Sequence, residues 1–258
     1  MSHRYDRYKV GGLIASIGLA GAALIGQLKP VPSAAVAKNW KHFTYAGFRI
    51  NKTHGDGVRY VAVGDSYTCG TGAKPEQSWP SLLTRDLRAR GVKIDLAANL
   101  GVNGWTTQQA LDMEMPEFQD QKPTFATLMI GVNDTYRATT VEEFRVRLQS
   151  LMDRMQKVLP DKSKMVIVTI PNYIVTPSGA GYAAQGKGVV KIVAFNAVIQ
   201  EEAAKRGLSV VDVFPLSQKM EGAPDLTAHD GMHPSAKEYA LWEKQIYPTV
   251  SEMLQKKS

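Results

Sequence analysis

The sequence predicts an α/β fold, a three-layer α/β/α sandwich around a five-stranded parallel sheet, and three observations support this. The chain has 258 residues of which 44% are hydrophobic, enough to bury one sizeable core. From residue 58 onward, short β-branched runs alternate with amphipathic stretches, a pattern typical of β-α units. The chain also shows no internal repeat. We therefore expect a single α/β domain over residues 58–258.

The alternation gives five strands and five main helices. The predicted strands are Val58–Val63, Lys93–Ala97, Phe125–Ile130, Met165–Ile170 and Ser209–Val213. The predicted helices are Gln77–Arg90, Thr107–Glu117, Val141–Val158, Val189–Arg206 and Ala236–Gln255. A glycine-rich stretch, residues 172–188, follows the fourth strand. It is either a mobile loop that shapes a substrate cleft or an ordinary long connection.

The first residues have the order of an export signal. Arg4, Arg7 and Lys9 precede an uncharged apolar run, Val10–Gly26, and Ala35-Val36-Ala37 has the small-x-small form of a cleavage site. The run is short for a membrane span and rich in glycine, so a cleaved signal and a retained anchor both remain open. We predict a signal peptide or membrane anchor over residues 1–37 and a connector over 38–57. The remaining domain would be extracytoplasmic, either secreted or membrane-anchored.

Charge and cysteine content exclude several other classes of protein. The formal net charge is +7, but the basic residues are spread over predicted helix faces, so we expect no nucleic-acid partner. The single cysteine, Cys69, forms no internal disulfide and is expected to be a small buried thiol. No spacing resembles a metal motif such as H-E-x-x-H, so we expect no metal and no cofactor.

Four short motifs carry polar residues to one edge of the predicted sheet. Gly64-Asp65-Ser66-Tyr67 follows the first strand, Gly101-Val102-Asn103-Gly104 the second, and Gly131-Val132-Asn133-Asp134 the third. The fourth motif, Asp230-Gly231-Met232-His233-Pro234, precedes the last helix. Because ligands of open α/β sheets bind beyond the carboxyl ends of the strands, we expect these motifs to meet there.

The residue types in these motifs are those needed for acyl transfer to water. Ser66 would be the nucleophile, and His233 the general base oriented by Asp230. The backbone N–H groups of Gly104 and Ser66 and the side-chain amide of Asn133 would bind the oxyanion. Taken singly, each motif is more often a helix cap or a glycine turn, so the prediction depends on their occurring together.

On these motifs the chain resembles the SGNH hydrolases, also called the GDSL esterase and lipase family, from Val58 to Leu254. Tyr67 stands where Leu is commonest in the first block, while Gly104, Asn133, Asp230 and His233 match the later blocks. The resemblance implies a flavodoxin-like fold and the same catalytic residues. Trp79-Pro80 and Trp105 are similar to the bacterial lysophospholipase and thioesterase branch.

We therefore expect a serine-dependent carboxylic ester hydrolase that forms an acyl-enzyme on Ser66. Its substrate would be a small acyl ester, lipid-derived or otherwise, with membrane contact only through an uncleaved N-terminal segment. The alternative is a carbohydrate O-deacetylase or O-acyltransferase acting on cell-wall or exported polysaccharide. A third hypothesis is a binding domain on a degenerate hydrolase scaffold, which the retention of both Ser66 and His233 disfavours.

Overall fold

The computed structural model describes residues 57–184 and 188–255. The predicted signal or anchor (1–37) and all but the last residue of the predicted connector (38–57) lie outside this range. Within it, no helix is long and apolar enough to cross a membrane.

The core of the fold is a five-stranded, fully parallel sheet. Its strands are β1 (Val58–Gly64), β2 (Ile94–Asn99), β3 (Phe125–Met129), β4 (Met165–Val168) and β5 (Ser209–Val211). The spatial order is β2-β1-β3-β4-β5, which is the flavodoxin-like order. All five residues of β3 and all four of β4 are buried, as expected for strands covered by helices on both faces. The predicted fold class is therefore confirmed.

Helices connect and cover these strands. The longer ones are α2 (Trp79–Ala89), α6 (Val141–Val158), α8 (Val189–Lys205) and α10 (Ala236–Gln255). The short helices are α1 (Ser66–Cys69), α3 (Thr107–Gln109), α4 (Met115–Asp120), α5 (Val132–Tyr136), α7 (Ala180–Ala184) and α9 (Phe214–Ser217). Helix α2 packs against α10, while α6 packs against α4 and α8. In the second group, Phe144 and Phe195 stack with their ring centroids 4.1 Å apart.

Short 3-10 turns complete the connections. They span Pro75–Gln77, Tyr173–Val175, Gln218–Met220 and Pro224–Leu226. The glycine-rich stretch after β4 therefore contains a 3-10 turn and α7 as far as it is described. Thr140 begins α6 with a capping box, since its hydroxyl accepts a hydrogen bond from Glu143 N at 3.1 Å and Glu143 bonds back.

Strands β4 and β5 end two residues earlier than the apolar runs predict. The cause at β4 is Asn196 on α8, whose side-chain amide bonds both Ile170 N and Ile170 O at 2.8 Å. At β5, Val213 N donates to the Thr169 hydroxyl at 3.0 Å instead of to a strand. These side-chain bonds satisfy backbone groups that the ladder would otherwise use. Strand β2 extends to Asn99, beyond its predicted end at Ala97.

The helix predicted over Thr107–Glu117 is instead divided by a π-helical turn, Ala110–Glu114. Met115 N bonds to Ala110 O, five residues back. The next residue is Pro116, which has no N–H to donate and so weakens the regular α-helical ladder at this point. The wider turn places Glu114 against the end of β1, where its carboxyl accepts a hydrogen bond from Gly64 N at 3.0 Å.

Candidate active site

The first motif carries Ser66 directly from the sheet into a helix. Strand β1 ends at Gly64, and α1 begins at Ser66. The helix cap is Asp65 rather than Ser66, because the Asp65 carboxylate accepts a hydrogen bond from Tyr67 N at 3.1 Å. The Ser66 hydroxyl makes no hydrogen bond to any other described residue. It is therefore not used for capping and remains available for chemistry.

Gly64 is required by the close packing beneath Ser66. A Cβ atom at this position would lie 2.1 Å from the carbonyl oxygen of Met129 and 2.2 Å from the Thr68 hydroxyl. Any other residue would force β1 away from β3 at the point where the chain turns into α1. Gly64 thus allows the turn that carries Ser66 to pack directly against β3.

Asp65 is buried, and the pKa of its carboxyl group is raised. Burial raises its pKa, hydrogen bonds from the backbone of Tyr67, Gly131 and Val132 lower it, and the nearby Asp134 carboxylate raises it. The net effect brings the pKa of Asp65 to about 8. Asp65 accepts a hydrogen bond from Tyr67 N and lies close enough to the backbone N–H groups of Gly131 and Val132 for them to lower its pKa, so the turn at Ser66 and the start of α5 are close together.

The third motif places Asn133 in the first turn of α5, after a glycine that the backbone requires. Gly131 has φ +119°, and a Cβ there would lie 2.7 Å from the Phe144 ring. Asn133 Nδ2 donates to the carbonyl of Trp105 at 2.8 Å. One of the two amide N–H groups is thus held by the residue that follows the second motif, which orients the other.

Asp134 fixes the second motif to the third. Its buried carboxylate accepts hydrogen bonds from Thr107 N and from the Thr107 hydroxyl, both at 2.8 Å. Arg147 lies 3.7 Å from the same carboxylate. Burial raises the pKa of Asp134, and the Thr107 bonds and the arginine only partly offset it. The sequence predicts no separate role for Asp134, although it belongs to the third motif.

The fourth motif forms a compact histidine loop. Asp230 Oδ2 lies 2.6 Å from His233 Nδ1, and Asp230 Oδ1 accepts bonds from Met232 N and His233 N at 2.9 Å. Burial raises the pKa of Asp230, but the two backbone bonds and the imidazole outweigh it and hold that pKa below its usual value. Asp230 therefore stays ionised and holds the ring with Nε2 free to act as a base.

The histidine loop is supported from two sides. Ser178, in the connection after β4, donates from its N–H to Gly231 O at 2.8 Å and from its hydroxyl to Asp230 O at 3.0 Å. Tyr67 packs edge-on against the His233 ring, with centroids 5.8 Å apart. The glycine-rich stretch thus contacts the predicted catalytic loop directly.

These motifs meet at one cavity of about 330 Å³. Its lining includes four of the five predicted site residues, Ser66, Gly104, Asn133 and His233, and the fifth, Asp230, is bonded to His233 behind it. Ser66 and His233 share the cavity without a hydrogen bond between them; such contacts are often loose in unliganded enzymes. The catalytic roles of these residues remain predictions.

Sequence reasoning missed the outer wall of the cavity. Tyr136, Arg137, Tyr182 and Met232 line it, and the Tyr136 hydroxyl contacts the Met232 sulfur at 3.6 Å. The Tyr136 and Tyr182 rings lie 4.7 Å apart. For Arg137 a signal existed in the sequence, since it is four residues after Asn133 and so on the same side of a helix.

The Cys69 thiol is not among the residues that line this cavity. Cys69 is half-buried, and burial raises the pKa of its thiol, so it remains protonated and poorly nucleophilic. Among the described residues, no group of three histidine, cysteine or acidic side chains is placed to hold a metal ion.

Comparison with known proteins decides the family. The model of the GDSL-like lipase/acylhydrolase family matches residues 62–241, which include all four motifs. The chain belongs to this family. A comparison with curated proteins gives no match. As a member of this SGNH hydrolase family, the protein is an ester hydrolase.

Solved structures agree with this assignment. The lipase/acylhydrolase from Enterococcus faecalis is 26% identical, with a TM-score of 0.61, and the match covers 78% of this chain and 99% of that one. The esterase EstA from Pseudoalteromonas sp. is 22% identical, with a TM-score of 0.60, over 76% and 98% of the two chains. A Clostridium thermocellum family 3 carbohydrate esterase is 21% identical, with a TM-score of 0.61, over 77% and 97%. At their lower identity, the last two support the shared fold.

Proposed function

We propose that this SGNH hydrolase cleaves a small carboxylic ester through an acyl-enzyme on Ser66. His233 Nε2 takes the proton of the Ser66 hydroxyl as its oxygen attacks the ester carbonyl, then delivers the proton to the departing alcohol. Water attacks the acyl-enzyme in the same way and releases the acid. The observation that carries the proposal is the 2.6 Å contact between Asp230 and His233 at the cavity that Ser66 lines.

The oxyanion would be bound where the three strand-end motifs meet. The Asn133 amide and the backbone N–H groups of Gly104 and Ser66 are the donors available at the cavity. Gly104 has φ +81°, a left-handed conformation that glycine adopts without strain. The bonds from Asn133 to Trp105 O and from Thr107 to Asp134 hold these donors in place before substrate arrives.

The size of the cavity supports a short acyl group. Its 330 Å³ is at the small end of the usual range for ligand pockets, roughly 300–1,000 Å³. A long acyl chain would extend beyond Tyr136 and Tyr182 into solvent. We therefore expect p-nitrophenyl acetate and butyrate to be cleaved with higher kcat/KM than the decanoate or palmitate esters.

A Ser66→Ala variant tests the proposal directly. It should lower kcat for ester cleavage at least about 10³-fold, the remaining rate coming from the oxyanion donors. The far-ultraviolet circular dichroism spectrum and the unfolding midpoint should stay near those of the wild type. A Ser251→Ala variant is the matched control for loss of a hydroxyl, because Ser251 lies near the end of α10, accepts a hydrogen bond from the exposed Gln255 side chain and does not line the cavity. Equal ester cleavage by wild type and Ser66→Ala would refute the proposal.

A carbohydrate O-deacetylase is the second candidate function. The small cavity and the paired rings of Tyr136 and Tyr182 favour it, because aromatic side chains pack well against sugar rings and a small cavity selects acetyl groups. Release of acetate from acetylated oligosaccharides with higher kcat/KM than from p-nitrophenyl acetate would support this function. Preference for longer acyl esters would oppose it.

We also propose that the domain acts outside the cytoplasm. The basic residues Arg4, Arg7 and Lys9 before the apolar run Val10–Gly26 support this location. The mass of the N-terminus from native material would distinguish a cleaved signal from a retained anchor. Recovery of an uncleaved chain from the cytosol would contradict the proposal.

A further inference from the structure

The described lining of the cavity carries a positive charge and no negative charge. Among the described residues that line it, Arg137 is the only one with a permanent charge, and none is a carboxylate. Asp230, the nearest acid behind the histidine, is bonded to Met232 N, His233 N and the imidazole. An anionic group entering this cavity would therefore meet a cation at the rim and no bare carboxylate on the lining.

Arg137 is placed within reach of a bound ester. It follows the last residue of α5, one turn after Asn133, and side chains four apart on a helix have Cβ atoms roughly 5–6 Å from each other. The guanidinium is thus carried on the same side of the helix as the proposed oxyanion donor. A group a few bonds from the ester carbonyl would fall within its range.

The backbone of Arg137 is anchored while its side chain remains available. Lys191 Nζ donates to Arg137 O at 2.7 Å and to Asp134 O at 3.3 Å, which fixes the end of α5 to α8. Within residues 57–184 and 188–255, the Arg137 guanidinium makes no hydrogen bond or ion pair.

The nearby acid does not occupy the Arg137 side chain. Asp134 feels the charge of Arg137, but its carboxylate is buried, is bonded to Thr107 and lies 3.7 Å from Arg147. In the described structure the Asp134 carboxylate bonds Thr107 and lies nearest Arg147, and it makes no hydrogen bond or ion pair with Arg137. A planar guanidinium without a partner at the rim of a reaction cavity is suited to bidentate binding of a carboxylate or phosphate.

We propose that Arg137 binds an anionic group of the substrate, so that the preferred substrates of this enzyme are esters carrying a phosphate or carboxylate near the scissile bond. This inference rests on the proposed function and names its substrate class. The contact between Arg137 and the anionic group is the same in the bound substrate and in the transition state. Its loss should therefore raise KM and leave kcat nearly unchanged.

The test compares aryl acetates that carry either an anionic or a neutral para substituent, with each kcat/KM divided by the rate constant for hydrolysis of the same ester by hydroxide. The substrates are 4-acetoxybenzoate and 4-acetoxyphenyl phosphate as anions and 4-acetoxybenzamide as the neutral reference, with release of the phenol measured. After this normalisation, wild type should show a higher kcat/KM for an anionic ester than for the neutral one. The ratio of anionic to neutral kcat/KM should fall about tenfold in Arg137→Gln, largely through KM, which is the low end for a charge-assisted bond at an exposed site.

Two further variants separate local recognition from net charge. Arg137→Lys keeps the charge but loses the bidentate fork, so its ratio should lie between those of wild type and Arg137→Gln. Lys93→Gln removes one positive charge just before β2, at the opposite end of the sheet, and should keep the wild-type ratio.

The two anionic esters identify the source of the charge. A stronger dependence on Arg137 with the phosphate points to phospholipid-like leaving groups, and a stronger dependence with the carboxylate points to acidic sugars. An unchanged ratio in Arg137→Gln, or no anion preference in wild type, would overturn the inference. Equal ester cleavage by wild type and Ser66→Ala would instead refute the acyl-enzyme, whatever Arg137 does.

Discussion

Replacement of Glu114 gives a quantitative test of the packing beneath Ser66. Glu114 is only 2% exposed, one carboxyl oxygen accepts the Gly64 N–H bond at 3.0 Å, and the other has no partner among the described residues. Burial raises the pKa of this carboxyl, the Gly64 bond lowers it, and Asp65 raises it, leaving it well above its usual value of 4.5. Glu114 is therefore protonated in the folded protein under conditions where a free glutamate is ionised.

This protonation makes stability depend on pH in a defined direction. Above pH 4.5 the unfolded chain loses the Glu114 proton while the folded chain keeps it, so the free energy of unfolding falls as pH rises towards the folded-state pKa. Each pH unit within that window costs about 1.4 kcal/mol. Glu114→Gln keeps a carbonyl oxygen for Gly64 N and cannot ionise, so it escapes this loss.

Urea denaturation at pH 4.5 and pH 6.5 measures the effect. Between these two values the stability of Glu114→Gln relative to wild type should rise, and full protonation of the folded carboxyl sets the upper bound of this rise at about 2 kcal/mol. Other titrating groups cancel in the comparison. Glu114→Leu also lacks the titration but leaves Gly64 N without an acceptor, so it should be about 1–3 kcal/mol less stable than Glu114→Gln at both pH values. An unchanged difference between Glu114→Gln and wild type would show that the folded carboxyl is ionised.

Three other substitutions test the remaining parts of the site. Asn133→Ala should lower kcat about 100- to 1,000-fold with little change in KM, as measured by steady-state kinetics. A change confined to KM would show that Asn133 does not bind the oxyanion. Asp230→Asn should lower kcat by up to about 10⁴-fold through loss of the His233 orientation, and retention of even a tenth of wild-type kcat would exclude that role. Asp134→Ala leaves two Thr107 donors without their acceptor and should cost about 2–4 kcal/mol in urea unfolding; a cost below about 0.5 kcal/mol would contradict the proposed cross-link.

The sequence predicts the sheet and the meeting of the motifs because both follow from local patterns. Alternating apolar runs identify all five strands, and the positions of Ser66, Gly104 and Asn133 just beyond strand ends place them at one edge. The motif with Asp230 and His233 is local as well, since the two side chains are three residues apart and bond directly.

The parts that were not predicted depend on contacts between distant residues. Asp134 meets Thr107 across 27 positions, and Asn196 ends β4 from 26 positions away; neither pairing has a sequence period. Tyr182 reaches the cavity from the stretch whose structure the sequence left open. Asp65 and Ser66 are adjacent and both can cap a helix, so the sequence does not show that Asp65 is the cap; the backbone geometry does.

The central claim is that Ser66 is the nucleophile, activated by His233, and covalent labelling tests it most directly. A fluorophosphonate ester transfers its phosphonyl group to an activated serine oxygen with loss of fluoride, and intact mass followed by peptide mapping locates the adduct. We predict one adduct per chain, on Ser66, with labelling absent in Ser66→Ala and at least about 100-fold slower in His233→Ala. Labelling at another residue, or labelling of Ser66 at the same rate without His233, would contradict the claim.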